Sequence, residues 1–541
     1  MNLLLHHFRK DLRFARWLIL ITLLASVVIL WFPSVPLEER VEQINWLSLA
    51  RYGGWLMVVL TAGRLIQLDA PLREGGYLRT RPAPRSAVLL SKMVVIFVLI
   101  VPLAMIESLL LVRLDLKPGA TDLLLVFAEN LLALVMVCSV GMAMAIRQES
   151  AAKFNASVVG WIGIGVIGWI AFTWCRSAYF RTEKPEWSYT LEYLKTSRLL
   201  MTQVVALAGA VIGIVLFVRS GRRETISKSL AITAVCALAT LFFWPLNFVK
   251  AFAPPGRQAP KSEWPDRAKL KFTFEENRNY RSIVTYSGDC GYNDVTYRPI
   301  YGNARLTGFT NKWRTSFDTS YESELTLSNG KTISSHREAW ATLGSRAIIP
   351  TLGIPSPYTT DDKQSSGFQL AEFKLQDAVG AMTGAHLKGT MQIPLKRPVI
   401  LARMPFRQGA SVQLGKQRIE LTKVETELDE ISYTIIQQRP LIKLRGDWFN
   451  HDGGVLDFIV IHTGRKEFLY RGSSSINNNS LGHYSIELKT FTEPVWRAHF
   501  EKKPIPPDWA NGAELLIIGD ENGGSFSQNF DFQNNNLSNE R

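Results

Sequence analysis

Six histidines in the C-terminal half, His336, His386, His451, His462, His483 and His499, are the side chains of this chain best suited to metal or acid–base chemistry, and none has a partner at ligand spacing. A zinc site needs several ligands converging on one ion, as HExxH, His-x-His or Cys-x-x-Cys provide. Isolated histidines belong on strands or at the surface, so no metal site is expected. Gly330-Lys331-Thr332 ends like a phosphate-binding loop, but Leu325 stands where its first glycine belongs. The tripeptide also sits in a hairpin rather than opening a helix, so the chain has no means of its own to hydrolyse ATP. There is no GxSxG elbow. Asp361-Asp362 and Glu275-Glu276 are adjacent pairs rather than carboxylates facing across a cleft. Trp264, Trp313, Trp340, Trp448, Trp496 and Trp509 could stack on sugars, with core packing as the simpler expectation. No catalytic and no cofactor-binding residue emerges. Glu107 and Glu129 lie within or beside apolar runs, where an ionisable group is costly and often marks a pathway; both are near the outward ends, where snorkelling to the interface serves as well.

The elements that must position these groups divide the chain in two. Seven apolar segments, 14–32, 46–68, 87–112, 123–146, 158–174, 199–218 and 229–249, are each about long enough to cross a bilayer as a helix. Residues 1–250 carry 26 Lys and Arg against 15 Asp and Glu, which is +11 of the total +14. These cations fall in short loops between spans: Arg73, Arg79, Arg81 and Arg85, then Arg147 and Lys153, then Arg219, Arg222, Arg223 and Lys228. Retention of positive charge on the cytoplasmic side explains them, so the basic balance does not call for nucleic acid. The outward loop 175–198 runs against the rule, with five basic residues partly offset by Glu183, Glu186 and Glu192. Residues 1–16 read as a basic amphipathic helix lying in the headgroup region, retained rather than cleaved. Seven spans with the N-terminus inside place everything after Lys250 outside.

Within the spans, Gly209 and Gly213 make a GxxxG step suited to close helix packing, inside one subunit or at a subunit interface or mobile gate. Residues 250–264 read as a linker by their Pro and Gly content. Beyond it the hydrophobic period becomes that of strands, at 269–274, 323–328, 331–335, 386–393, 399–404, 411–414, 418–424, 431–436, 456–462, 484–488 and 514–518, with Asn329-Gly330 as a hairpin turn. The expected architecture is thus a membrane α-helical region of about seven transmembrane helices (17–249), followed by an all-β, β-sandwich-like region. That region divides into modules 265–427 and 428–521 and ends in a flexible tail, 522–541. Cys138, Cys175, Cys236 and Cys290 allow no disulfide framework in the β region, and a Cys175–Cys290 pair would require both to face an oxidising compartment.

One segment stands out by pattern. After the second span, Asp69, Pro71, Arg79, Thr80, Arg81, Pro82 and Arg85 precede a Leu89-Leu90-x-Lys92 entry to the third. With the basic N-terminal helix, this loop resembles the permease subunits of ABC-2 type transporters, over roughly residues 1–218. The resemblance implies a bacterial inner-membrane, multi-pass subunit that pairs with a second permease copy. ATP would enter only through a separate cytoplasmic ATPase, which docks on loops such as 69–92. The chain departs from the six-span pattern by a seventh span and a large outward domain, which would receive exported material, contact a periplasmic partner or brace the dimer. The loop fits docking on physical grounds too: prolines and Gly75-Gly76 bend it, and its arginines can pair with carboxylates, although they could equally serve only to set topology. A non-transporting anchor or sensor presenting the β region is the alternative. A membrane-bound enzyme acting on cell-wall sugars would need a carboxylate cleft that the sequence does not display.

Overall fold

The computed structural model of the protein describes residues 2–68, 85–148, 150, 152–160, 163, 188–220, 223–249, 257–264, 266, 271–276, 284–286, 295–307, 313, 315–318, 322–327, 330–334, 340–343, 364–374, 385–427, 430–442, 456–469, 473–481, 483–496 and 505–534. The N-terminal half is helical: α1 (Asn2–Trp31), α2 (Leu37–Leu68), α3 (Arg85–Arg113), α4 (Ala120–Arg147), α5 (Ser188–Ser220) and α6 (Arg223–Phe243). No Gly or Pro interrupts residues 2–31, so α1 runs unbroken until Pro33 and Pro36 stop it. The basic segment 1–16 is therefore no separate interfacial helix: Asp11, fully buried, faces Ser91 and Lys92 of α3. α4 starts where the Gly119 N–H donates to Asp122 at 2.9 Å, placing a carboxylate at the positive end of the helix dipole.

Five helical segments are long and apolar enough to cross a membrane: Ala15–Ser34, Leu90–Arg113, Ala120–Arg147, Thr196–Arg219 and Glu224–Phe243. They coincide with five of the seven expected spans. α2 covers the span expected at 46–68 but begins earlier and carries Glu38, Glu39, Arg40, Glu42, Arg51 and Arg64, which dilute its apolar character. Of the segment expected at 158–174, residues 152–160 are helical and 164–187 lie outside the described residues.

The helices run alternately up and down. One end holds Asp11, Gln67, Ala145 and Phe154, with the Gln67 amide donating to the carbonyls of Ala145 and Ser150 at 3.4 and 3.3 Å. The other end gathers the last turn of α1, the first turns of α2 and α4 and the last turns of α3, and the β region sits on it. α5 and α6 pack antiparallel, pinned near that end by Arg198 donating to the Trp244 carbonyl at 3.0 Å.

The C-terminal half is all β, with antiparallel pairing between its strands. A six-stranded sheet contains β1 (Lys271–Glu276), β2 (Val284–Tyr286), β3 (Val295–Thr307), β4 (Thr315–Asp318), β7 (Trp340–Leu343) and β8 (Gln364–Lys374). An eleven-stranded sheet contains β5 (Glu322–Thr326), β6 (Thr332–Ser334), β9 (Ala385–Pro405), β10 (Ser411–Leu414), β11 (Gln417–Thr426), β12 (Glu430–Pro440), β13 (Asp457–His462), β14 (Glu467–Leu469), β15 (Ser473–Leu481), β16 (Tyr484–Trp496) and β17 (Glu514–Asn534). The β5–β6 turn is closed between Leu327 and Lys331, with Gly330 at φ +81°, a conformation glycine adopts without a Cβ penalty.

Three sequence expectations change here. The module boundary at 427/428 falls inside the β11–β12 hairpin, where Thr426 pairs with Ile431, and strands from both sides share the larger sheet. Much of the tail read as flexible is strand: β17 continues to Asn534, paired with β9 as far as Ala385. Its Asn, Gly and Ser content masked an alternation of Phe526, Phe530 and Phe532 that suits one face of a strand. The linker is also held, since Asn522 exchanges backbone bonds with Arg257 and Ala259 at 2.8 and 3.0 Å. Beneath the sheet, Phe406, Tyr433, Phe491 and Trp509 form the aromatic core. Its two buried carboxylates accept bonds there, Glu493 from the Tyr433 hydroxyl at 3.1 Å and Glu467 from the Trp509 indole at 2.7 Å. Burial beside Glu493 holds the Tyr433 phenol well above its ordinary range.

Candidate functional site

The β15–β16 hairpin reaches down from the larger sheet into the ends of the helices. Leu481 pairs with Tyr484, so His483 is presented at the tip of the turn. An apolar collar surrounds it: Phe32, Ile44, Leu47, Ile106, Leu110 and Val126 of the helical end pack with Ile436, Leu481, Tyr484 and Ile486 of the sheet. Phe32 meets Tyr484 edge to face, with ring centroids 6.2 Å apart. The Tyr484 hydroxyl donates to Gln438 at 3.0 Å, and the His483 carbonyl accepts from the Leu441 N–H at 2.7 Å. Those two bonds tie the tip to its own sheet, so it moves with the domain.

Inside the collar is a charged cluster built from three helices and the hairpin. Arg51 of α2 is ion-paired through Nε with Glu107 of α3, and its terminal nitrogen reaches Asn130 of α4 at 3.5 Å. The other oxygen of Glu107 contacts Nδ1 of His483, and Nε2 of His483 lies 2.7 Å from Glu129 of α4. The His483 side chain is 2% exposed and that of Glu129 4%. Burial pushes the imidazole down from its ordinary value, and the carboxylates of Glu107 and Glu129 outweigh it, so the net displacement is upward. Asp122, Val126, Glu129 and Asn130 are all buried, at the i, i+4, i+7, i+8 spacing of one helix face, and Asp122 is paired with Lys416 from the β10–β11 turn. α4 thus grips the β region at two heights. A third attachment is the tether after α6, where Arg397 of β9 pairs with both Glu263 and Glu521.

This arrangement joins the hairpin tip to three helices through buried charges. No group of three His, Cys, Asp or Glu side chains converges on a point among the described residues. Both imidazole nitrogens are occupied by carboxylates on opposite sides, which spreads the acids apart rather than focusing them.

The residues selected from sequence fall elsewhere. Asp69, Pro71, Arg79, Thr80, Arg81 and Pro82 lie outside the described residues, and Arg85 opens α3. Lys92 does not extend a docking face: it is buried, with Nζ 3.3 Å from Asp11, and so is committed to holding α3 on α1. Gly209 lets α6 approach closely, since a Cβ there would stand 1.9 Å from Thr233 Oγ1, and Gly213 faces Ser229 in the same contact. Of the histidines, His336, His451 and His499 lie outside the described residues, and His386 and His462 are on strands. Trp313 and Trp509 are buried, so core packing describes them better than sugar stacking.

Of this cluster, Arg51 does not enter the sequence reading, and His483 enters it only as an isolated histidine. Only part of the signal was present: Arg51, Glu107 and Glu129 are charges in three successive helical runs, whereas the polar sequence of residues 473–481 hides the hairpin that carries His483. No family model, curated protein or solved structure matches this chain.

Proposed function

We propose that the chain is the permease subunit of an ABC-2-like transporter, an exporter of the bacterial inner membrane, with seven spans, the N-terminus in the cytoplasm and the β region in the periplasm. Two observations support the seventh crossing. The helix at 152–160 starts from the end where Ser150 is held, and α5 runs back toward that same end. ATP hydrolysis belongs to a separate cytoplasmic subunit, because the sequence carries no phosphate-binding loop, and a second permease copy completes the assembly.

The observation that carries the reading is the path from loop to domain. The loop 69–84 joins α2 to α3, and the far ends of those two helices hold Arg51 and Glu107, which are bonded to each other and to the β region through His483. Leu68 is 17 residues from Arg51, about 25 Å of helix, and Arg85 is 22 residues from Glu107, about 33 Å. A push on the loop therefore reaches the periplasmic domain through two coupled rods. ATP binding on the partner would bias the helices between two arrangements by its differential affinity for them.

The same rods would carry a signal inward in an anchor or sensor, and one purification separates the readings. In mild detergent, the exporter reading expects a stand-alone ATPase to co-elute with the full chain. Replacing Arg79, Arg81 and Arg85 by Gln should weaken that association without altering insertion. Co-elution of a kinase or regulator and no ATPase, or an ATPase that binds the substituted chain undiminished, would overturn it.

A further inference from the structure

The cluster at the tip of the β15–β16 hairpin is electrically balanced only when it holds one proton on His483. Arg51 and an imidazolium supply two positive charges, and Glu107 and Glu129 supply two negative ones. A neutral imidazole donates from one nitrogen only, and here both nitrogens face carboxylate oxygens. Loss of the proton therefore turns one contact into a lone pair against a carboxylate and leaves a net negative charge in a buried site. Such an uncompensated charge is far costlier in a site closed to solvent than in water.

The other charged groups described around the cluster have partners of their own. From α2 the facing group is Arg51, already paired with Glu107, while Arg40 lies on the side of Tyr484. From α4, Asp122 is seven residues away, about 10 Å along the helix, and is paired with Lys416. From the sheet side, Gln438 is uncharged and accepts from Tyr484, and Arg418, whose charge reaches Tyr484, is paired with Glu420 at 3.2 Å.

We propose that His483 is a proton-binding site that latches the β region to the helices: proton uptake from the periplasmic side seats the hairpin among α2, α3 and α4, and proton release to that side frees it. The transfer is a simple ionisation, N–H to water, with no other bond changed. Once the tip withdraws, water reaches Glu107 and Glu129, Arg51 stays with Glu107, and the neutral imidazole is solvated. The latch works on the domain as a whole because the tip is bonded to Leu441 and Gln438 of the sheet. It requires only the helix–domain junction, and so stands apart from the identity of whatever is transported.

Docking then depends on pH in a fixed direction. A histidine whose docked pKa lies above its free value contributes fully below the free value of about 6.5, and its contribution is lost as the pH rises to the raised one. Across that window the docking equilibrium weakens about tenfold per pH unit, or about 1.4 kcal/mol.

The test is thiol labelling of the full chain in nanodiscs, with the native cysteines replaced. Leu47→Cys on α2 reports undocking, because Leu47 is covered by the β region, and exposed Lys423→Cys on β11 serves as reference for the intrinsic pH dependence of a thiol. Otherwise unsubstituted protein should show the Leu47→Cys rate, relative to the reference, rising about tenfold per pH unit above about 6.5. Glu129→Gln removes one carboxylate and donates an amide to neutral imidazole, so its rate should stay low and flat from pH 6 to 9. His483→Gln should be fast and flat. A flat response without these substitutions, or an unchanged pH step in Glu129→Gln, overturns the latch; the second result holds even if His483→Gln fails to fold.

Discussion

Arg51→Met removes one member of a buried ion pair and keeps most of the side-chain volume. Arg51 is 12% exposed at its side chain and Glu107 9%, so the substitution leaves Glu107 and Glu129 facing a single cation, His483. Breaking a buried pair by removing one partner costs about 3–5 kcal/mol, whereas replacing both by apolar groups is far milder. At 1.36 kcal/mol per decade that is at most roughly two to four orders of magnitude in the docking equilibrium of the β region, reduced by what the pair still contributes once the tip has withdrawn and Arg51 stays with Glu107. The relative labelling rate of Leu47→Cys at pH 6 should rise by the same factor in Arg51→Met. In Arg51→Met/Glu107→Met it should fall back most of the way, since His483 and Glu129 then remain as a matched pair. A labelling rate unchanged in Arg51→Met would refute the claim that this ion pair holds the junction. A double variant worse than the single would refute the charge accounting.

Two further outcomes follow from packing. Gly209→Ala should destabilise the detergent-purified chain by the cost of overpacking, about 1–3 kcal/mol, seen as a lower melting temperature, and Thr233→Ala should recover only part of it, because it removes Oγ1 and Cγ2 but leaves Cβ 2.6 Å from the new methyl. Truncation after Glu521 should abolish accumulation of folded protein, because it strips the ladder between Asn534–Ser525 and Ala385–Pro394; an intact melt of the truncated chain would restore the flexible-tail reading.

How far the fold could be read from the sequence follows from what each signal measures. Apolar runs locate α1, α3, α4, α5 and α6 because length and hydropathy are local properties. α2 is harder, since its first turns leave the apolar zone to meet the β region and carry charges there. Alternating runs find β11, β12 and β13, whose inward residues are buried, but not β15, whose Ser-Ser-Ser-Ile-Asn-Asn-Asn-Ser-Leu sequence is polar and is held as a strand by the whole length of β16. Pro394 and Pro398 split β9 into two expected strands; in the fold the ladder passes them with a bulge between Asn522 and Ser525. The site itself is non-local. Glu107 and Glu129 attract attention as ionisable groups in apolar surroundings, yet nothing in the sequence indicates that a histidine more than 350 positions away completes them. Snorkelling was a fair reading of each acid alone, and the buried imidazole between them replaces it.

The central claim is that the β region sits on the outer ends of the helices with the hairpin tip among them. The most direct measurement is disulfide trapping in intact membranes between Ser48→Cys on α2 and Ser480→Cys on β15, in a chain without its native cysteines, because the Ser48 hydroxyl lies 3.5 Å from the Ser480 carbonyl. The account expects rapid cross-linking within one chain under mild oxidant, with a yield relative to the intrinsic reactivity of the two thiols that is higher at pH 6 than at pH 9. Two thiols that both react with maleimide yet never form the bond would contradict it.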